Sequence, residues 1–165
     1  MSTQQLTTAS KAGITTKVIN PLLAGVGETF ETMLGSRADR QQLCPRPFGA
    51  ALLDVTAVIG ISSEAKGSIG ISFAEQTAIR LCNRLLDINA QAVGPDVLDA
   101  MGELVNIVAG STKSKLDIGL NIGLPQVLHG CDQQIDFPKA SQPLRLVYAS
   151  DLGPFCVDFG FIFRA

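Results

Sequence analysis

Residues 94–116 constrain the fold more than any other stretch of this chain. They read Gly94-Pro95-Asp96-Val97-Leu98-Asp99-Ala100-Met101-Gly102-Glu103-Leu104-Val105-Asn106-Ile107-Val108-Ala109-Gly110-Ser111-Thr112-Lys113-Ser114-Lys115-Leu116. Pro95 suits the first helical position, where its missing N–H would be unpaired anyway, and Asp96 complements the positive end of the helix dipole. At about 100° per residue, Asp99, Glu103, Asn106, Gly110 and Lys113 fall within a strip roughly 80° wide. Met101, Leu104, Val105, Ile107, Val108 and Leu116 occupy most of the remaining circumference. A helix of this kind has to be gripped by a core on nearly every side, and only the strip reaches solvent.

Gly102 and Gly110 border the strip, and each costs about 1 kcal/mol relative to alanine inside a helix. Small residues there let another surface come close. On the residues alone two readings stand: a solvated edge of a core helix, or a face built to meet a partner.

The chain has 165 residues, a length that suits one domain burying around 70% of its unfolded surface. Hydrophobic residues make up 46% and charged residues 17%, which excludes a disordered chain. No apolar run approaches the roughly 18 residues of a membrane span, and residues 1–8 lack the basic and apolar regions of a secretory signal. A cytoplasmic protein is expected. Cys44, Cys82, Cys131 and Cys156 show no C-x-x-C spacing, so reduced thiols are expected rather than disulfides or a metal site. The net charge of −2, one Tyr and no Trp leave no basic footprint or stacking platform for nucleic acid. No phosphate-binding glycine loop occurs, and His129, the sole histidine, has no partner for a Ser-His-Asp scheme.

Residues 1–17 are expected as a loose tail or a short strand, and 18–165 as a single domain. Asn20-Pro21 reads as a cap with proline at the first helical position, followed by Leu22, Leu23, Val26, Phe30, Met33 and Leu34 at helical spacing up to Gly35. Residues 37–47, with two prolines, read as an irregular connection. Leu53, Val55, Ala57, Ile59 and Ile61 alternate as a strand, residues 63–67 turn, and Ile69, Ile71 and Phe73 return, making an antiparallel hairpin. Residues 74–86 form a second amphipathic helix. After the long helix, 117–123 read as a connection, 124–130 as a short strand with Pro125 near its start, and 133–142 as a polar loop. Leu144, Leu146 and Tyr148 pair with an apolar strand of Phe155, Val157, Phe159, Phe161 and Phe163 across a Ser150–Pro154 turn.

The first helix echoes the long one. Shifted by 75 positions, Gly27-Glu28 falls on Gly102-Glu103, Gly35-Ser36 on Gly110-Ser111, Glu31 on Asn106 and Ala24 on Asp99. The fold expected is therefore α/β (α+β), an antiparallel-dominated sheet covered by helices and built as pseudo-symmetric halves. One copy keeps Asp-x-x-x-Glu-x-x-Asn and the other has lost it. A carboxamide can orient a water without adding negative charge, whereas Glu31 would repel an anionic substrate, so only the second copy is expected to be active.

With Asp99-x-x-x-Glu103-x-x-Asn106 and Pro125 at the start of a downstream strand, the sequence resembles the CheC, CheX and FliY chemotaxis phosphatase family, and the CheX-like branch in particular. The order of elements from about 18 to 163, Ile107-Val108-Ala109-Gly110, and residues 124–130 carry the likeness further. The resemblance implies hydrolysis of the aspartyl phosphate on a CheY-like response-regulator receiver domain by insertion of the motif helix. It implies that Asn106 positions the attacking water and that Glu103 contacts the receiver's lysine. Asp99 would lie at the edge of the interface. By their small size Gly102 and Gly110 are expected to admit the receiver's loops, and by its charge Lys113 is expected to meet the receiver's acidic rim, a role the family does not assign. No cofactor of the chain's own is implied, since Mg²⁺ would sit on the receiver. With a single motif copy, the resemblance to one-site members of the family also implies a homodimer. The rival expectation is a non-catalytic module that binds a receiver or a motility-complex protein through the same strip.

Overall fold

The computed structural model describes residues 3–130 and 132–163, with side chains from residue 17 onward. The helices are α1 (Thr3–Leu34), α2 (Glu75–Leu86) and α3 (Pro95–Lys115); the strands are β1 (Asp39–Pro45), β2 (Val55–Ser63), β3 (Ala65–Phe73), β4 (Leu120–Ile122), β5 (Gln126–His129), β6 (Leu144–Ala149) and β7 (Phe155–Phe163). All strand pairs are antiparallel. The sheet runs β1-β6-β7-β3-β2-β4, and β5 shares the outer edge of β2 with β4.

The order β1-β6-β7-β3-β2-β5 reads the same from either end once β1 is exchanged with β5, β2 with β6 and β3 with β7. The axis of that exchange falls at the middle of the longest ladder, where Ile69 pairs with Phe159. The expected α+β architecture of two pseudo-symmetric halves is therefore present, with each half lending its first strand to the edge of the other.

One face of the sheet carries the helices. Val18, Leu22, Val26, Phe30 and Leu34, spaced one turn apart on α1, are buried, and Phe30 stacks on Phe155 at 4.6 Å. That ladder corrects the expected start at Pro21. Val18 reaches the core only if the helix already exists one turn earlier, so α1 runs from Thr3 through Pro21, and residues 3–17 are helical rather than a loose tail. Pro21 forgoes only the bond to the carbonyl four residues back, that of the exposed Lys17.

Residues 39–45, expected as irregular, form β1, pairing with β6 through a shift between Arg40 and Gln42. Six of its seven residues are exposed, so an edge strand of this kind has no buried face to write an alternating pattern into its sequence. The hairpin turn is also tighter than residues 63–67. Ser63 takes φ 92°, and Gly67 already lies in β3, where a Cβ would stand 2.1 Å from the Gly160 carbonyl oxygen. Residues 120–122, expected as connection, pair with β2 as β4.

The opposite face is covered by the 134–143 loop, which sets Ile135 over Gly70 and Phe137 over Gly160. Beneath it Asp158 accepts bonds from Arg46 Nε at 2.7 Å and from Arg145 Nε at 2.7 Å. Asp158 is buried together with Arg46, a pairing whose loss on one side would leave an uncompensated charge. Cys44, Cys82 and Cys156 are free thiols, and burial pushes Cys82 and Cys156 upward. Cys131 lies outside the described residues.

Candidate functional site

The long helix is set by its surroundings at both ends. Asn83 on α2 accepts from the Ala90 N–H at 2.7 Å and donates to the Ala90 carbonyl at 3.0 Å, which fixes the turn leading into Gly94 and Pro95. Pro95 opens α3, Asp96 lies in its first turn, and Lys113 and Lys115 lie in its last, so charge matches the dipole at both ends. Val97, Ala100, Met101, Leu104, Val105, Val108 and Ala109 are buried. Packed along three faces, α3 presents its remaining face as a rigid rail.

Asp99, Glu103, Asn106 and Lys113 are exposed on that face, and Gly110 is half-buried among them. Glu103 and Asn106, three apart, are neighbours on a helix surface, with Cβ atoms roughly 5–6 Å apart. Among the described residues, the side chains of Asp99, Glu103, Asn106 and Lys113 make no hydrogen bond or ion pair.

Gly102 is corrected. It is buried, and its missing Cβ leaves 3.3 Å to Val127 Cγ2 and 3.8 Å to Pro125. It lets β5 pack on the helix and does not face solvent, because its azimuth sits just past the edge of the strip, toward the sheet. A helical wheel cannot tell on which side of that boundary the sheet closes. Gly110 has nothing within 4 Å of its Cβ position and stays open.

On the other flank α1 closes against α3. A Cβ on Gly25 would stand 2.8 Å from Thr112 Oγ1. Lys115 Nζ donates to Glu28 Oε2 at 2.7 Å, and Ser111 Oγ donates to the same oxygen at 3.3 Å. Lys115 holds the Glu28 carboxyl below its ordinary value, chiefly through that hydrogen bond. The echo drew attention to Glu28, but no sequence signal marks its partner 87 residues away.

Cavities of about 720, 500 and 980 Å³ among the described residues lie away from the strip, and Asp99, Glu103 and Asn106 line none of these. His129 is exposed on β5. Among the described residues no group of three or more His, Cys, Asp or Glu could hold a metal ion, and no helix is long and apolar enough to cross a membrane. The strip is convex. It presents a carboxylate and a carboxamide outward, and neither lines any of these cavities.

Residues 55–148 match the family model of the chemotaxis phosphatase CheX, more than half of the chain. The chain belongs to the CheX family. Its relatives include the CheY-P phosphatase CheX of Thermotoga maritima, 27% identical over 127 residues that cover 72% of this chain and 79% of that one. The crystal structure of the chemotaxis protein CheX from Desulfovibrio desulfuricans aligns with a TM-score of 0.79 at 25% identity, covering 88% of this chain and 99% of the other. A CheX-CheY-BeF3-Mg²⁺ complex from Borrelia burgdorferi shares the fold, with a TM-score of 0.73 at 19% identity over 89% and 97% of the two chains. The CheX family match starts at the first residue of β2 and contains α3 entire.

Proposed function

We propose that this chain is a phosphatase of a CheY-like receiver domain, which it attacks by laying the exposed face of α3 into the receiver's phosphorylation site. The observation that carries the reading is the pair Glu103 and Asn106. They are exposed, without partners among the described residues, and mounted on a helix buried on its other faces, in a chain of the CheX family. The Thermotoga maritima relative is a CheY-P phosphatase.

Phosphoryl transfer leaves a catalyst little to do beyond placing the nucleophile in line and managing charge. The Asn106 carboxamide accepts a bond from a water with its oxygen or donates one with its nitrogen, and so fixes that water opposite the aspartyl oxygen. The water's oxygen forms the new bond to phosphorus as the bond to the aspartate oxygen breaks. The receiver keeps its carboxylate, inorganic phosphate departs, and the water's proton goes to phosphate or solvent. Glu103 pairs with the receiver's lysine and holds the helix in register. Asp99 at one end of the strip, with Gly110 and Lys113 at the other, completes the contact. Mg²⁺ is named in the Borrelia burgdorferi complex; for this chain it would be held by the receiver and would neutralise phosphate charge there. The protein acts in the cytoplasm, as a homodimer.

The test is to phosphorylate candidate receivers with a small-molecule donor and follow decay with and without the protein. Acceleration by wild type and its loss in Asn106→Ala support the reading. Binding to the phosphorylated receiver without any change in its decay would replace it with the non-catalytic module.

A further inference from the structure

Leu124 is a large apolar side chain left 90% exposed, and it sits where the chain has the least freedom to hide it. β4 ends at Ile122 and β5 begins at Gln126, and both strands pair with β2. Between them, the Gly123 N–H donates to the Gly60 carbonyl at 2.8 Å, so the chain is pinned just before Leu124. Just after it, Pro125 restricts the Leu124 backbone to extended conformations and packs over Gly102 of α3. The side chain is therefore fixed outward at the sheet edge, one residue from the contact that borders Glu103.

Exposed leucines scattered singly are ordinary, and Phe48, fully exposed in the loop after β1, lines a cavity with Arg46 and Phe137 on the other side of the sheet. Leu124 differs in directly preceding Pro125, which packs over Gly102 beside a polar strip whose side chains also have no partner among the described residues. An apolar side chain already held rigidly loses little freedom when a partner covers it, so its burial counts almost fully toward association.

We infer that Leu124 is a specificity-determining contact for the receiver, seating in an apolar depression beside its phosphorylation site when α3 docks. The inference rests on the phosphatase reading above. Leu124 governs how tightly the phosphorylated receiver is held, while Asn106 governs how fast the bound phosphate leaves.

Steady-state dephosphorylation of an acetyl-phosphate-charged receiver, with full-length wild type, Leu124→Ala and Leu124→Met, separates the two roles. Truncation to alanine removes the apolar contact and raises KM about tenfold with kcat within about twofold, and methionine restores KM. An unchanged KM in Leu124→Ala overturns the inference while leaving the phosphatase reading intact; a wild type that does not accelerate decay overturns both. Leu124→Asp in the same assay and by light scattering addresses the other occupant. Loss of self-association with KM unchanged would assign Leu124 to a contact with a second copy and overturn the proposal. Thermal melts of all variants match wild type, because the side chain touches little of the fold.

Discussion

Glu28 and Glu103 occupy equivalent places on two helices of one pseudo-symmetric fold, and the structure treats them in opposite ways. Lys115 and Ser111 reach across from α3 to occupy Glu28, whereas Glu103 has no partner among the described residues. Where α3 has Asn106, α1 has Glu31, which lines a cavity of about 500 Å³ with Gly27, Gly35, Ser36, Arg37 and Ala38. The same scaffold thus yields one helix face whose carboxylate is held in an internal ion pair and one whose carboxylate is exposed without a partner among the described residues. A glutamate in place of the asparagine and an ion-paired glutamate in place of an unpaired one are two separate differences, and α1 carries both.

The comparison breaks most readily at the asparagine. Asn106→Ala should lower the dephosphorylation rate about a hundredfold, the scale of about 3 kcal/mol for one well-placed polar group, while Glu31→Ala leaves it unchanged; receiver decay kinetics decide. Next come the glutamates. Glu103→Ala should raise KM for the receiver by about thirtyfold, corresponding to about 2 kcal/mol for a charge-assisted bond, and Glu28→Ala should change it less than about twofold.

The glycines sharpen the contrast within α1 itself. Gly25→Ala forces a methyl against Thr112 and the Val108 carbonyl and should destabilise by about 1–3 kcal/mol. Gly27→Ala meets nothing within 4 Å and should stabilise by about 0.5–1 kcal/mol. Chemical denaturation reads both. The smallest effect is electrostatic. Lys115→Met should let the Glu28 carboxyl rise toward its ordinary value, followed by NMR titration. Because the folded value lies below the unfolded one, the pair's contribution is present above the unfolded value and is lost as pH falls through the folded one. The variant should lack that dependence.

Much of this was legible in residue order because it follows from short-range periodicity. The polar strip of Asp99, Glu103 and Asn106, the β2–β3 hairpin and the aromatic face of β7 are each written in neighbours two, three or four positions apart. Features with no buried face of their own were not legible. β1 is exposed along nearly its whole length and exists because β6 offers it a ladder, and β4 is three residues made a strand by the edge of β2. Asn20-Pro21 imitated a helix start because local capping chemistry carries no knowledge of the burial of Val18 one turn upstream.

Gly102 marks the same boundary within the site. Its place beside the strip is a matter of 3.6-residue geometry and follows from sequence alone. Whether it faces a partner or the sheet depends on where Pro125 and Val127 come to rest, twenty-odd residues later, and only the closed fold decides that. The sequence by itself determined which chemical groups share a helix face, since backbone geometry dictates it. Tertiary structure decided which of those groups stay available: Glu28 is paired with Lys115, Gly102 is covered by β5, and Glu103 and Asn106 stay exposed without a partner among the described residues. Availability is a property of distant segments packing together, and no local pattern encodes it.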